Sequence, residues 1–263
     1  MTLTQIIWTA APEIFAIGPV SVRWYGLFWA LSFYLGYEIL LRMFKKESVP
    51  VKELEHLLIF MAVGSIVGAR LGHCFFYAWD HYSQNLVEIF YIWEGGVASH
   101  GGAFGIIIAL FAFQKFKSSQ KTIWTLDRIV IPIALAAAFI RLGNLMNSEI
   151  YGVETSLPWG FIFAEREETL AKHPTQIYEA LAYFALFGSL LWLYIKKRKT
   201  LAGGMLSGIF ALGMFIPRFL IEFIKELQEA FEQNMLINMG QILSIPMIIT
   251  GFVLIYLAFK KKL

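Results

Sequence analysis

The chain has 263 residues, a formal net charge of +3 and one cysteine, Cys74; 58% of its residues are hydrophobic and only 16% are charged. Soluble domains carry about a quarter charged residues, so this deficit, with a mean hydropathy of +0.62, points to a polytopic membrane protein. The mild, scattered positive charge excludes a nucleic-acid surface, and a single cysteine excludes an intrachain disulfide and cysteine-paired metal sites.

Residues 1–19 are too short, and too interrupted by Pro12, Glu13 and Pro19, to span a bilayer; they are expected at the membrane surface. No Lys or Arg precedes Arg23, so no secretory leader is expected. Apolar runs of about 20 residues, the length a spanning helix needs, then predict seven spans over residues 22–41, 54–77, 97–116, 123–142, 177–195, 205–224 and 239–259. The second ends in Phe75, Phe76, Tyr77 and Trp79, an aromatic interfacial belt. No repeat or linker breaks the chain, which predicts one membrane domain over residues 1–263. Residues 143–176 form an external cap segment between spans four and five, within which residues 159–163 suit either a short strand or an interfacial loop.

Charge sets the orientation. Fifteen of the 22 Lys and Arg fall in the connections after spans one, three, five and seven, Lys260 to Lys262 included. By the positive-inside rule the N-terminus is outside and the C-terminus cytoplasmic. The expected fold is therefore an all-α integral membrane protein of seven transmembrane helices with a small external cap.

Counting inward from the cytoplasmic anchors puts Arg70, His100, Arg141 and Arg218 at similar depth. They lie 13 to 19 residues from Lys52, Lys115, Arg128 and Lys199 respectively, or about 20 to 28 Å at the helical rise. Arg23 and Tyr25, at the outer end of span one, reach the same level. Ionisable groups inside a membrane are costly and mark functional sites. Arg218 and Glu222, spaced i,i+4, suit mutual neutralisation as well as a site. Arg70, flanked by Gly68 and Gly72, suits close packing as well as anion binding, and His100 alone reads as a capping histidine. Arg141 is harder to assign to structure: Asn144 and Asn147 cannot neutralise it, and Glu149 lies eight residues on.

Two or three guanidiniums at that level make a site for a phosphate-bearing group, since arginine pairs phosphate oxygens bidentately and keeps its charge. His100 is the neighbour suited to proton transfer near neutrality. Ser99 and Cys74 are poor nucleophile candidates, and His73, His81 and His100 show no metal-ligand spacing. No metal and no cofactor is expected. An anion channel or carrier using the same arginines is the competing class, although the inner halves of the spans carry few ionisable groups, Glu38 being the main exception. An intramembrane protease would need a serine or an aspartate pair at depth.

Residues 141–152 read Arg-Leu-Gly-Asn-Leu-Met-Asn-Ser-Glu-Ile-Tyr-Gly. With Ile140 in place of a leading glycine, they resemble the signature of the prolipoprotein diacylglyceryl transferase family. The resemblance extends through Ile17-Gly18-Pro19, residues 23–27, residues 68–72, Trp93-Glu94-Gly95-Gly96 to His100-Gly101-Gly102, residues 173–179 and residues 239–244. It implies a bacterial inner-membrane enzyme with its active site toward the outer leaflet. Such an enzyme transfers diacylglyceryl from phosphatidylglycerol to the lipobox cysteine of a preprolipoprotein, forms a thioether and releases glycerol 1-phosphate. Carried over, it implies His100, Arg141 and Arg218 as catalytic residues. Arg70, Tyr25, Asn144, Asn147, Glu149, Gly152 and Glu222 would bind or orient the lipid, Arg141 also holding its phosphate and Glu222 holding Arg218. Met214 and Lys225 depart from the tyrosine and arginine that many relatives carry there, which leaves the thiol base resting on His100.

Overall fold

The computed structural model describes residues 5–227, 232 and 235–261, the side chains of Val20, Glu94 and Ser99 excepted. Lys262 of the C-terminal basic run lies outside the described residues. Among the described residues, eight α-helices carry the fold: α1 Trp24–Lys46, α2 Val51–Phe76, α3 Trp79–Tyr82, α4 Ser99–Phe116, α5 Thr122–Met146, α6 Thr175–Lys197, α7 Met205–Ile221 and α8 Met239–Phe259. Among the described residues, six helices are long and apolar enough to cross a membrane, and the apolar part of α4, His100–Phe116, is shorter. The chain is a multi-pass membrane protein. Large apolar side chains point outward along the helices, such as Phe33 at 68% exposure, Phe104 at 65% and Phe252 at 59%. Such surfaces suit hydrocarbon rather than water.

Four short strands among the described residues accompany the helices: β1 Ile6–Trp8, β2 Glu13–Ile17, β3 Val20–Arg23 and β4 Phe161–Phe163. The N-terminal stretch, expected only to lie at a surface, thus builds an antiparallel β2–β3 hairpin and gives β1 to a parallel pairing with β4, Ile6 opposite Phe161. That pairing decides the open question in favour of a strand at Phe161–Phe163, with Trp159 and Gly160 left in the turn before it.

The contacts divide the chain into two compact units: Met1–Ile39 with Leu126–Leu263, and Leu40–Thr125. In the first, α7 starts where the Asp127 carboxylate of α5 accepts hydrogen bonds from the Gly204 and Ser207 amides at 2.8 and 2.9 Å. An anion there satisfies amides that lack a helical partner and complements the dipole. Gly204 itself sits at φ +85°, a conformation that glycine adopts without penalty. Helix α8 opens with a reciprocal capping box between Asn238 and Gln241. The connection between α5 and α6 packs Leu145, Phe161 and Phe163 against Trp8, Tyr151 and Ile177. The Trp8 indole also donates to the Leu145 carbonyl at 3.1 Å.

In the second unit, α2 and α4 touch backbone to backbone along Gly64, Gly68 and Gly72 against Gly101 and Gly105. A Cβ on Gly68 would meet the Gly105 Cα at 2.7 Å. Small residues let membrane helices approach this closely. At the far end of α2, Glu53 accepts from the Ser119 amide at 2.9 Å, which ties down the turn after α4.

Candidate functional site

The polar end of α5 is held by side chains from four other segments of its unit. Arg141 Nη1 donates to Asn144 Oδ1 at 3.2 Å. Asn144 and Asn147 in turn donate to Glu149 Oε1, at 2.8 and 3.3 Å. Glu149 thus orients the two asparagines, and the carboxylate that neutralises Arg141 is a different one. It belongs to Glu179 of α6, whose Oε2 lies 2.9 Å from Arg141 Nε. The N–H does not aim squarely at that oxygen, which accepts no hydrogen bond among the described residues, so the contact is one of charge.

Glu179 continues the network. Its Oε1 is 3.2 Å from Lys225 Nζ, and Lys225 also donates to Glu222 Oε2 at 3.0 Å. The side chains of Glu179, Lys225 and Glu222 are 0%, 2% and 7% exposed. Removing one partner from so buried a set leaves an uncompensated charge, at a cost of about 3–5 kcal/mol. The sequence suggested that Glu222 holds Arg218 at i,i+4; the structure gives Glu222 to Lys225 instead, at i,i+3. Arg218 is half-buried on α7 and makes no ion pair among the described residues. Its charge acts on the Tyr183 hydroxyl, as do those of Arg141 and Glu179. Tyr183 donates to Glu179 Oε1 at 3.4 Å.

Backbone conformation brings these groups together. After α5 the chain turns through Ser148 at φ +51° and Ile150 at φ +61°, left-handed conformations that carry strain for β-branched isoleucine. Thr175 and Gln176, at the start of α6, bond the carbonyls of Ile150 and Glu149 at 2.9 and 2.8 Å and hold the turn. Gly152 then pairs with Lys225. A Cβ there would meet Thr175 Cγ2 at 2.8 Å and His173 Cβ at 2.7 Å, so only glycine fits. Gly143 has a similar reason: a Cβ would meet the Tyr25 ring at 2.6 Å, so the ring of Tyr25 rests on α5 backbone two residues beyond Arg141.

Beside this cluster the α5–α6 connection carries its own ion pairs. Lys172 Nζ is 2.6 Å from Glu226 and 3.5 Å from Glu168, and the Glu226 bond raises its pKa. Tyr151 donates to Glu168 at 2.8 Å; burial, then that bond, push its phenol up to about 12. Burial lowers the pKa of His173.

The second unit holds the other two predicted residues. Arg70 is 2% exposed. Its guanidinium donates to the carbonyls of Ile89 at 3.0 Å, Glu88 and Gly95 at 2.5 Å each, and Gly96 at 3.4 Å. The Tyr82 ring lies 5.0 Å from its Cζ. A fork engaged by four carbonyls has little left for a phosphate. His100, in the first turn of α4, is exposed. With Phe75, Phe76, Tyr77 and Phe104 it lines an apolar groove of about 1180 Å³ between α2 and α4.

Sequence reasoning gave no role to Glu179 or Tyr183, and marked Lys225 only as a departure from the arginine that many relatives carry. The available signal was Glu179 itself, a carboxylate within an apolar run, which obeys the same intramembrane rule that drew attention to the arginines.

A family model described as prolipoprotein diacylglyceryl transferase matches residues 12–257. Curated relatives named phosphatidylglycerol–prolipoprotein diacylglyceryl transferase are similar along almost the whole chain. That of Chloroherpeton thalassium is 42% identical over 260 residues, 99% of this chain and 97% of the relative. That of Tolumonas auensis is 43% identical over 258 residues, 98% and 99%. That of Porphyromonas gingivalis is 44% identical over 278 residues, 100% and 98%.

Proposed function

Because the chain belongs to the prolipoprotein diacylglyceryl transferase family, we propose that Arg141 holds the phosphate of phosphatidylglycerol during the reaction. The enzyme moves the diacylglyceryl group of that lipid to the thiol of a lipobox cysteine, a step of bacterial lipoprotein biosynthesis. The thiolate attacks the glyceryl carbon that bears the phosphate ester. A C–S bond forms, the C–O bond breaks, and its electron pair leaves on the oxygen of glycerol 1-phosphate.

The phosphate carries one negative charge in the diester and a second develops as the C–O bond opens. A guanidinium facing it is therefore worth more in the transition state than in the ground state, the condition for raising kcat. Arg141, steadied by Asn144 and Glu179, takes the phosphate through its terminal nitrogens. Arg218, without an ion pair among the described residues, adds the second positive charge. Tyr25, Asn147, Glu149 and Gly152 shape the headgroup site, and Glu222 acts on it through Lys225. His100 takes the thiol proton, since thiolate is the attacking species. Arg70 is left out of lipid binding and serves architecture, because its donors are engaged by carbonyls.

The same proposal takes the chain as one membrane domain of seven spans, with α4 as the short one. The N-terminus and the 143–176 cap lie outside, the C-terminus inside, and the site opens toward the outer leaflet of the bacterial inner membrane. The observation that carries the reading is an arginine, 13% exposed at its side chain, near the end of an apolar helix with its orientation set by Glu179, Asn144 and Tyr183. Intact-mass analysis of a lipobox peptide, incubated with the protein and with or without phosphatidylglycerol, tests it. The peptide gains one diacylglyceryl mass only when the lipid is present; a folded protein that adds no such mass sinks the proposal.

A further inference from the structure

We infer that Glu179 is the positioning residue of the phosphate site: a buried carboxylate that aims Arg141 and is itself fixed by Lys225. The inference rests on the reading of Arg141 as phosphate ligand. Its basis is how the two oxygens of Glu179 are divided. Oε2 lies 2.9 Å from Arg141 Nε. Oε1 takes Lys225 Nζ at 3.2 Å and the Tyr183 hydroxyl at 3.4 Å.

Glu179 has a 0% exposed side chain, so it does not touch substrate from solvent or lipid. Nor is it needed to neutralise Lys225, because Glu222 Oε2 supplies an anion to that ammonium at 3.0 Å. The surplus negative charge of the set falls to Arg141. Glu222 is wedged in turn, since a Cβ on Gly240 at the start of α8 would run into its carboxylate. The Asn238 amide reaches the Glu222 carbonyl at 3.4 Å. The support behind Arg141 therefore runs from α8 through the end of α7 to α6.

Arginine is a long side chain with much rotamer freedom. Contact at Nε from Glu179 and at Nη1 from Asn144, with the Tyr183 hydroxyl also bonded to the guanidinium, removes that freedom and leaves the remaining N–H groups of the terminal nitrogens aimed in one direction. Preorganised donors of this kind need no reorganisation when the phosphate gains its second charge. Loss of Glu179 is thus expected in kcat more than in KM for the lipid.

Glu179→Gln preserves shape and keeps the Lys225–Glu222 pair. Measured per folded molecule, it is expected to lower kcat about 100-fold, as a misaimed catalytic contact does, with KM for phosphatidylglycerol little changed. Arg141→Lys keeps the charge but lacks the Nε branch that faces Glu179. If Glu179 acts through Arg141, the double variant falls little below the worse single variant; multiplied losses are what a merely structural role gives. Multiplied losses, or unmodified kcat in folded Glu179→Gln, overturn the inference. Should Glu179→Gln fail to fold, Glu179→Asp keeps the charge and withdraws the carboxylate by one methylene. That variant is expected to lose at least about tenfold in kcat, again coupled to Arg141→Lys, and unmodified kcat there overturns the inference equally. Inactivity of the unmodified protein strikes the functional reading itself, whereas the variant results strike Glu179 alone.

Discussion

Arg70 is a buried and Arg141 a half-buried arginine in an apolar helix, each in its own compact unit, and their partners differ in kind. Arg141 meets a carboxylate and an amide oxygen; Arg70 meets four backbone carbonyls and the face of Tyr82. Carbonyls engage the donors without supplying negative charge, which fastens the 88–96 loop to α2. A carboxylate set against one nitrogen neutralises the guanidinium from behind and leaves its terminal edge for another anion. Position in a span does not separate an architectural arginine from a ligand-binding one. The chemistry of its partners does.

The largest expected effect is on stability, and it lies on the Arg70 side. Arg70→Met leaves four carbonyls without their donor. Those bonds are part-buried, so each carbonyl that stays shielded from water costs about 1–3 kcal/mol, the 88–96 loop loses its fastening to α2, and thermal melts should show a large loss of folded protein. Arg141→Ala leaves the set of Glu179, Lys225 and Glu222 with one surplus negative charge, at a cost of about 3–5 kcal/mol, and should melt between the parent and Arg70→Met. Equal melting temperatures for the two variants would erase the distinction drawn between them.

Much of this contrast was out of reach of the sequence, and the reasons are specific. Apolar length marked the helices well: α6 and α8 begin and end within about two residues of the expected spans. The depth count drew Arg70 and Arg141 to attention together because it measures height and not partners. Glu179 stood within a quoted motif but was given no role. Lys225, noted only as standing where many relatives carry arginine, is 5% exposed. The i,i+4 spacing of Arg218 and Glu222 was a fair local rule, overridden by the closing of Gly152 against Lys225. Strand β1 pairs with β4 across more than 150 residues, a contact that no local pattern announces.

Gly152→Ala should be the next largest effect. The methyl meets the Ile224 carbonyl as well as His173 and Thr175, and displaces the backbone that carries Lys225. Turnover per folded molecule is expected to fall about 10- to 100-fold. Gly143→Ala, pressing on the Tyr25 ring instead, gives a comparison in which the Lys225 pair is left intact. Turnover of Gly152→Ala equal to the parent would detach Lys225 from the site.

A smaller effect belongs to the α5–α6 connection and depends on pH. His173 has a folded pKa held below its ordinary 6.5 by burial. Its contribution to stability is therefore present above 6.5 and lost as pH falls through the folded value. Lys172 has a folded pKa raised above 10.5, chiefly by the Glu226 bond, so its contribution is present below 10.5 and lost as pH rises through the folded value. Hydrogen exchange at the amides of Phe161–Phe163, corrected for intrinsic rates, should show greatest protection between these limits. Protection that keeps rising below pH 6 would contradict the assignment for His173. Smaller still, Tyr151→Phe removes one bond to Glu168 and should cost about 1 kcal/mol, read as a slight fall in melting temperature without loss of turnover.

The central claim is that Arg141 is the arginine that works on the lipid phosphate and Arg70 the one that holds structure. Intact-mass time courses on a lipobox peptide with phosphatidylglycerol, run side by side for Arg141→Ala and Arg70→Met and normalised to folded protein, test it most directly. Arg141→Ala should lose at least about 1000-fold in diacylglyceryl transfer, beyond the 10²–10³ of a single oxyanion donor because a full charge is removed as well. Arg70→Met should stay within about tenfold of the parent per folded molecule, as architecture outside the chemistry does. Full transfer by Arg141→Ala, or its loss in folded Arg70→Met alone, would contradict the account.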